Sequence, residues 1–261
     1  MEHHEAALRR YLRRAAGDPH VLGVLLTGSV ARGEERPDSD VDLVLVVDEP
    51  TFADALQGER IMTVETEGAD YDGGYFDVKL ATPAQLDAAA ERGDDPARDS
   101  LGSAKVLMDR GIGLQSTLDR LVDVPDERWR DLAASQLAQA RLHGEYFLRQ
   151  GLEHDDPLLT AHAAVHLALA AARTLLALEH VRHPGPKQLL ERVRALREAP
   201  AGFADALAAL VRTPTAARAA SVLAAAEAAA NGLLPHSATL SRFVLDNELA
   251  WFTRVPPPEY R

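Results

Sequence analysis

Asp40 and Asp42 stand at the head of an apolar run that continues from Val41 to Val47. Residues two apart on an extended strand leave the same face. The pair and Val44 therefore share one face, and Val41, Leu43 and Leu45 take the other. Two carboxylates held side by side repel each other and call for a cation between them. Hard divalent ions such as Mg²⁺ suit this arrangement, because they bind through one or two carboxylates together with phosphate oxygens. An Asp-x-Asp at a strand start is also common as a solvated strand end, so the pair needs company to mean more.

That company lies upstream. Val21 to Leu26 is a short apolar run bounded by turn residues, which reads as a buried strand. Gly28-Ser29 follows it and opens a helical turn to about Arg32. Backbone N–H groups exposed at such a turn favour an anion. Gly28 lets a phosphate approach the main chain, and Ser29 adds a hydroxyl donor. Ten residues separate Ser29 from Asp40.

The rest of the first half reads as a small mixed sheet with helices. A helix is expected over 2–16 and strands over 61–67, 75–81 and 104–108. Further helices are expected over 82–92 and 114–121, the first with Thr82 as cap and Pro83 in its first turn. Asp77, within Tyr75-Phe76-Asp77-Val78-Lys79-Leu80, is a carboxylate set among apolar residues, where isolation is costly. It is the first choice for a third acid. Glu65 and Glu67 are the fallback, and pairing with Lys79 is the bland alternative for Asp77.

Beyond Val122-Asp123-Val124-Pro125 the composition turns Ala/Leu-rich. Helices are expected at 126–150, 157–182, 186–198, 202–212, 215–231 and 237–252, punctuated by Gly and Pro. The fold class is therefore α+β: a small mixed β-sheet domain over 1–124, then an all-α helical bundle over 125–261. Charge divides at the same place. Residues 1–125 hold 13 Lys/Arg against 25 Asp/Glu, and the remainder is balanced, for a net charge of -12. A chain working on DNA or RNA would show a basic footprint, so no nucleic-acid partner is expected and a small or cationic acceptor fits better. No apolar run approaches the ~20 residues of a membrane span, and there is no Cys. A cytoplasmic protein without membrane attachment is the expectation.

Gly28-Ser29-Val30-Ala31-Arg32-Gly33 followed by Asp38-Ser39-Asp40-Val41-Asp42-Leu43 resembles the signature of the DNA polymerase β-type nucleotidyltransferase superfamily. That signature is Gly-Ser, a spacer, Asp-x-Asp and a third acid on a later strand. The ten-residue spacer is like that of the minimal nucleotidyltransferases. The resemblance covers roughly 20–110 and implies a nucleoside triphosphate donor, two Mg²⁺ ions and transfer of a nucleotidyl group. It assigns Asp40, Asp42 and Asp77 to metal binding and catalysis, and Gly28 and Ser29 to the phosphates. Arg32 either reaches the triphosphate or faces solvent. The two-domain layout is similar to that of aminoglycoside and lincosamide adenylyltransferases. In these a Lys in a Pro-rich turn often meets the triphosphate. Lys187, in Pro184-Gly185-Pro186-Lys187, is the counterpart by position, and the layout favours ATP and a small-molecule hydroxyl acceptor. Nucleotidylation of a protein partner and non-catalytic nucleotide binding are the alternatives.

The helical half carries one uncommon stripe. At about 100° per residue, His162, His166, Arg173 and His180 fall within roughly 40° of one another. They border either a cleft or solvent. His162 and His166 have the i,i+4 spacing of a transition-metal pair, but the sequence shows no third ligand. Arg173 to His180 also fits the loose Arg/His pattern of HEPN ribonucleases, too short to carry an activity. On the preceding helix Gln136, Gln139, His143 and Tyr146 share a side suited to a neutral polar wall, opposite Arg141, Glu145 and Arg149.

Overall fold

A computed structural model describes residues 1–258. The chain forms two compact units, Met1–Asp123 and Val124–Arg261.

The first unit is a five-stranded mixed sheet in the order β3-β4-β2-β1-β5. The strands are β1 (Val21–Leu26), β2 (Val41–Val47), β3 (Met62–Glu65), β4 (Phe76–Ala81) and β5 (Lys105–Asp109). Only β2 and β4 run parallel; the other neighbours are antiparallel. Strand alternation sends side chains to two apolar layers. On one face α1 (Glu2–Gly17) lays Ala7, Leu8, Tyr11 and Ala15 over Val24, Leu26, Leu43, Phe76 and Val78. On the other, Leu86 of α4 (Pro83–Arg92) and Leu114, Leu118 and Leu121 of a later helix (Leu114–Val122) cover Leu25, Val44 and Val46. Burying a Leu or Val fully is worth about 1.5–3 kcal/mol, so both layers favour one register for the central strands.

The expected strands are present with trimmed ends, and α4 starts as read. Thr82 accepts from the Gln85 N–H, the Gln85 side chain accepts from the Thr82 N–H, and Pro83 follows in the first turn. Three further helices complete this unit: the five-residue α2 (Gly28–Arg32), α3 (Glu49–Gln57) and α5 (Asp95–Gly102), and the helix at Leu114–Val122 is α6. Neither α3 nor α5 is foreseen by hydrophobic spacing. Each buries little apolar surface, and each is announced instead by an Asp cap with Pro in the first turn. Asp48 accepts from Thr51 N–H at 2.9 Å and Asp94 from Ala97 N–H at 2.8 Å.

The second unit is helical throughout its described residues. Its helices are α7 (Asp126–Arg141), α8 (Leu148–Glu153), α9 (Pro157–Leu178), α10 (Leu189–Arg194), α11 (Phe203–Arg212), α12 (Ala216–Ala230), α13 (Thr239–Phe243) and α14 (Ala250–Thr253). A π-helical segment at Leu142–Phe147 joins α7 to α8, and another at Val244–Glu248 joins α13 to α14. Asp156 caps α9. Central α9 is buried along most of its length, and its Ala residues admit α7, α11 and α12 closely. By length and composition α9 is apolar enough to cross a bilayer, but 67% of its most apolar 18-residue stretch is buried as the core of the unit.

Several boundaries differ from expectation, and the helix read as 126–150 runs on to Glu153 with the π segment inside it. The helix read as 157–182 stops at Leu178, and His180 takes a left-handed conformation (φ 55°) that reverses the chain. The helix read as 186–198 shrinks to Leu189–Arg194 because residues 186–188 form a turn after Pro184-Gly185-Pro186. The helix read as 237–252 is broken into a 3₁₀ turn, α13, a π segment and α14.

Arg141, on the side of its helix opposite Gln136 and Gln139, is buried. Its guanidinium donates to both Glu227 carboxylate oxygens, to Thr239 Oγ1 at 2.9 Å and to the Leu234 carbonyl at 3.0 Å. It ties α7 to α12 and to the chain entering α13. Removing one partner of a buried ion pair strands the other, at a cost of about 3–5 kcal/mol. Arg141→Ala should therefore lower unfolding stability by about 3 kcal/mol in urea titration. Adding Glu227→Gln to that variant should cost clearly less than Glu227→Gln costs alone, and full additivity would show that the pair does not couple.

Candidate active site

The parallel pairing of β2 with β4 sets Asp42 opposite Asp77 in register, with Val41 opposite Phe76. Asp40 enters β2 one residue earlier. One carboxylate oxygen from each of Asp40, Asp42 and Asp77 can be chosen so that all three lie within 4.8 Å of one another. All three residues are part-buried. They share the sheet face that Val44 continues, where Leu86 and Leu118 pack farther along.

The electrostatics fit a cation site. Asp42 has its pKa raised, first by burial and then by the charges of Asp40 and Asp77; Lys79 and Arg32 pull it back. Asp77 Oδ1 is buried with no hydrogen-bond partner. A buried carboxylate oxygen without a donor is expensive, and a divalent ion is the partner that oxygen-only donor set suits. The residues present therefore fit Mg²⁺. Lys79 is exposed and does not satisfy that Asp77 oxygen. Glu65 and Glu67, the fallback acids, instead both pair with Arg14 of α1, Glu67 at 3.4 Å.

Gly28 is fixed by the same carboxylates. Its φ is 68°, and a Cβ there would fall 1.8 Å from Asp42 Oδ2. Only glycine lets the backbone that opens α2 pass this close to the acid. The Thr27 N–H donates to the Asp42 carbonyl at 2.9 Å, binding the two segments together. Ser29 follows, part-buried, in α2. Arg32 ends α2 with its side chain 23% exposed, and its Nε donates to Glu34 at 2.7 Å. It is neither free in solvent nor buried. Lys187 belongs to the second unit, exposed in the turn at 186–188 rather than on the first turn of a helix.

Four residues of this site escape the sequence reading. Tyr75 lies beside Asp40, whose carboxylate raises the phenol's pKa. Strand alternation carried the signal, since Tyr75 and Asp77 share a face. Ser39, Tyr71 and His4 hold the loop before Asp40. The Tyr71 hydroxyl donates to the Ser39 carbonyl at 2.9 Å, buried His4 Nε2 lies 3.1 Å from the same oxygen, and Ser39 Oγ accepts from Arg36 N–H at 2.9 Å. These contacts span up to 35 positions, and no local pattern announces them.

In the helical unit the stripe does not persist as drawn. His162 is exposed, His166 part-buried and Arg173 buried. His180, past the end of α9, stacks on Trp129 at 5.4 Å. Gln136, Gln139 and His143 do line a polar cavity of about 50 Å³ with His166, Arg173 and His183. Tyr146 is exposed outside it. Burial and the neighbouring imidazoles of His166 and His162 push His143 down to about 3.

The raised Asp42 pKa predicts a pH dependence. A carboxyl whose folded pKa exceeds its unfolded value favours folding while protonated, and that contribution is lost as pH rises through the folded pKa. Metal-free protein at neutral pH thus bears the cost of ionised Asp42. Asp42→Asn should raise the melting temperature in chelator at pH 7, and the gain should vanish as pH falls below the carboxylate range. A gain that is unchanged at low pH would show that charge is not its source.

A model of the nucleotidyltransferase-domain family matches residues 6–89, from α1 into α4, and so takes in Gly28, Ser29, Asp40, Asp42 and Asp77. No curated protein matches the chain. Among solved structures the chain is similar in fold to a nucleotidyltransferase-like protein from Exiguobacterium sibiricum 255-15. The TM-score is 0.50 over 94% of this chain and 79% of that one, at 16% identity. The family match identifies residues 6–89 as a nucleotidyltransferase domain, and the likeness to the solved structure is one of fold.

Proposed function

We propose that the protein transfers a nucleoside monophosphate, AMP from ATP, to a hydroxyl of a small-molecule acceptor and releases pyrophosphate. The observation that carries this reading is the Asp42–Asp77 register on the one parallel strand pair, which brings three carboxylates together beside the Gly28 backbone. A nucleotide-binding module without chemistry has no use for a third acid that costs stability when unpaired.

Asp40 and Asp42 would hold the nucleotide-associated Mg²⁺ and share a second ion with Asp77. Two such ions, when bound, neutralise phosphate charge and favour ionisation of the attacking hydroxyl. The chain's own residues supply the rest. Gly28 and Ser29 present main-chain N–H groups and one hydroxyl to the β- and γ-phosphates. Asp77 receives the acceptor hydroxyl's proton as the acceptor's oxygen attacks the α-phosphorus in line. The bond from the α-phosphorus to the bridging oxygen breaks, and pyrophosphate departs. Tyr75 orients Asp40. Arg32 would leave Glu34 for the triphosphate.

In this reading residues 1–124 are the catalytic domain and 125–261 bind the acceptor. The net charge of -12 supports a small, cationic acceptor over a nucleic acid. The cytoplasm, where ATP and Mg²⁺ are abundant, is the proposed location, and the absence of Cys is in keeping with it.

The test is incubation with each α-labelled NTP and Mg²⁺, against panels of hydroxylated small molecules and of proteins. Label from ATP on a small molecule, with pyrophosphate released, is the expected result. Label on protein alone would replace the acceptor, and nucleotide binding without any turnover would reject transfer. Asp77→Asn should lower turnover by about a hundredfold or more, since loss of several kcal/mol of metal-borne stabilisation costs about tenfold per 1.4 kcal/mol. It should leave nucleotide affinity within about tenfold, because Asp40 and Asp42 remain. Gly28→Ala should abolish both by driving a methyl group into Asp42, and retention of either would contradict the close approach.

A further inference from the structure

The sequence offers His162 and His166 as two ligands in search of a third, and the fold supplies it. His143 comes from the π-helical segment Leu142–Phe147, and a ring nitrogen of each of the three histidines lies within 4.8 Å of the others. Ring centroids are 4.1 Å apart for His162 and His166, 4.8 Å for His143 and His166, and 5.5 Å for His143 and His162. We propose that His143, His162 and His166 form a transition-metal site of the Zn²⁺ class, separate from the carboxylate site.

Three observations carry it. His143 is only 6% exposed, and its Nδ1 is buried without a hydrogen-bond partner. Structures rarely tolerate such an orphan unless something outside the chain completes it. The π segment is the second. Such a bulge inserts a residue into a helix and re-aims side chains, frequently at functional sites. His143 lies in this segment and faces His162 and His166 of α9, and Gly144 keeps the two helices close: a Cβ there would sit 3.3 Å from Leu167. The third is the donor set. Imidazole suits Zn²⁺, Co²⁺ and Ni²⁺, whereas Mg²⁺ demands oxygen. Nitrogens around one zinc sit about 3–4 Å apart at bond lengths near 2.0–2.1 Å, so small side-chain movements close the present spacing. His162 is exposed, which gives the ion an entrance and leaves a position for water or an outside ligand. The adjoining cavity adds Gln139, whose Nε2 is buried and likewise unpartnered.

The test is titration of the untagged full chain with Co²⁺ and with Zn²⁺ in millimolar Mg²⁺, which occupies the carboxylates. Co²⁺ should give one equivalent of intense visible d–d absorption, displaced by Zn²⁺. His162→Ala, at an exposed position and therefore able to fold, should weaken Zn²⁺ at least a hundredfold and erase the Co²⁺ band. Asp42→Asn should leave both intact. Absence of stoichiometric binding, or binding indifferent to His162→Ala, or binding lost in Asp42→Asn, would each overturn the site.

Discussion

The pairing of β2 with β4 is the contact on which the first unit's chemistry rests. It is the one parallel pair in an otherwise antiparallel sheet, and it sets two carboxylates directly opposite each other. No described residue neutralises them fully. Lys79 and Arg32 act on Asp42 only at a distance, and an Asp77 oxygen has no donor. The two apolar layers above and below the sheet must therefore hold together a repulsive cluster at its centre. They can do so because the same strands that carry the acids bury Leu43, Val44, Phe76 and Val78 a residue or two away. Stability is supplied along the strands, and the strain sits where they begin.

Gly28 belongs to this balance. Its left-handed φ and the Asp42 carboxylate against its Cα make one steric unit from two motifs that the sequence keeps apart by more than ten residues. The loop between them is not left to chance. His4 and Tyr71 both anchor the Ser39 carbonyl, and Arg36 is hydrogen-bonded to the Ser39 side chain. A rigid approach to Asp40 keeps like charges from relaxing apart, which preserves the site's affinity for a cation.

The helical unit solves a different problem. Its central helix is rich in Ala, so neighbours pack against it closely, and polar groups carried inside must find partners. Arg141 does, through Glu227, Thr239 and Leu234. His143 does not satisfy its Nδ1, and it sits where a π turn departs from the α-helical path. Both features lie on the same stretch of chain, a few residues apart. One is a finished interaction, and the other is an interaction awaiting its partner.

Local physics made much of this legible. Alternation gave the strand bearing Asp42 and the shared face of Asp40 and Asp42, and a capping pair gave the start of α4, because each depends on residues within a few positions. The fold class followed from the change in pattern near residue 124. Other features depended on encounters between distant segments. Asp77, and not Glu65 or Glu67, lies beside Asp42 because β4 pairs with β2, whereas Arg14 draws the two glutamates to α1. Likewise α3 and α5 bury too few side chains for periodicity to mark them, and the end of α9 at Leu178 follows from a chain reversal at His180. His143 joined His162 and His166 only through the packing of its segment against α9. The sequence by itself determined which residues could repel, bind or cap, since these are properties of side chains and their near neighbours. Tertiary structure alone decided which of them met, because distances between segments are set by packing and strand pairing across the whole unit.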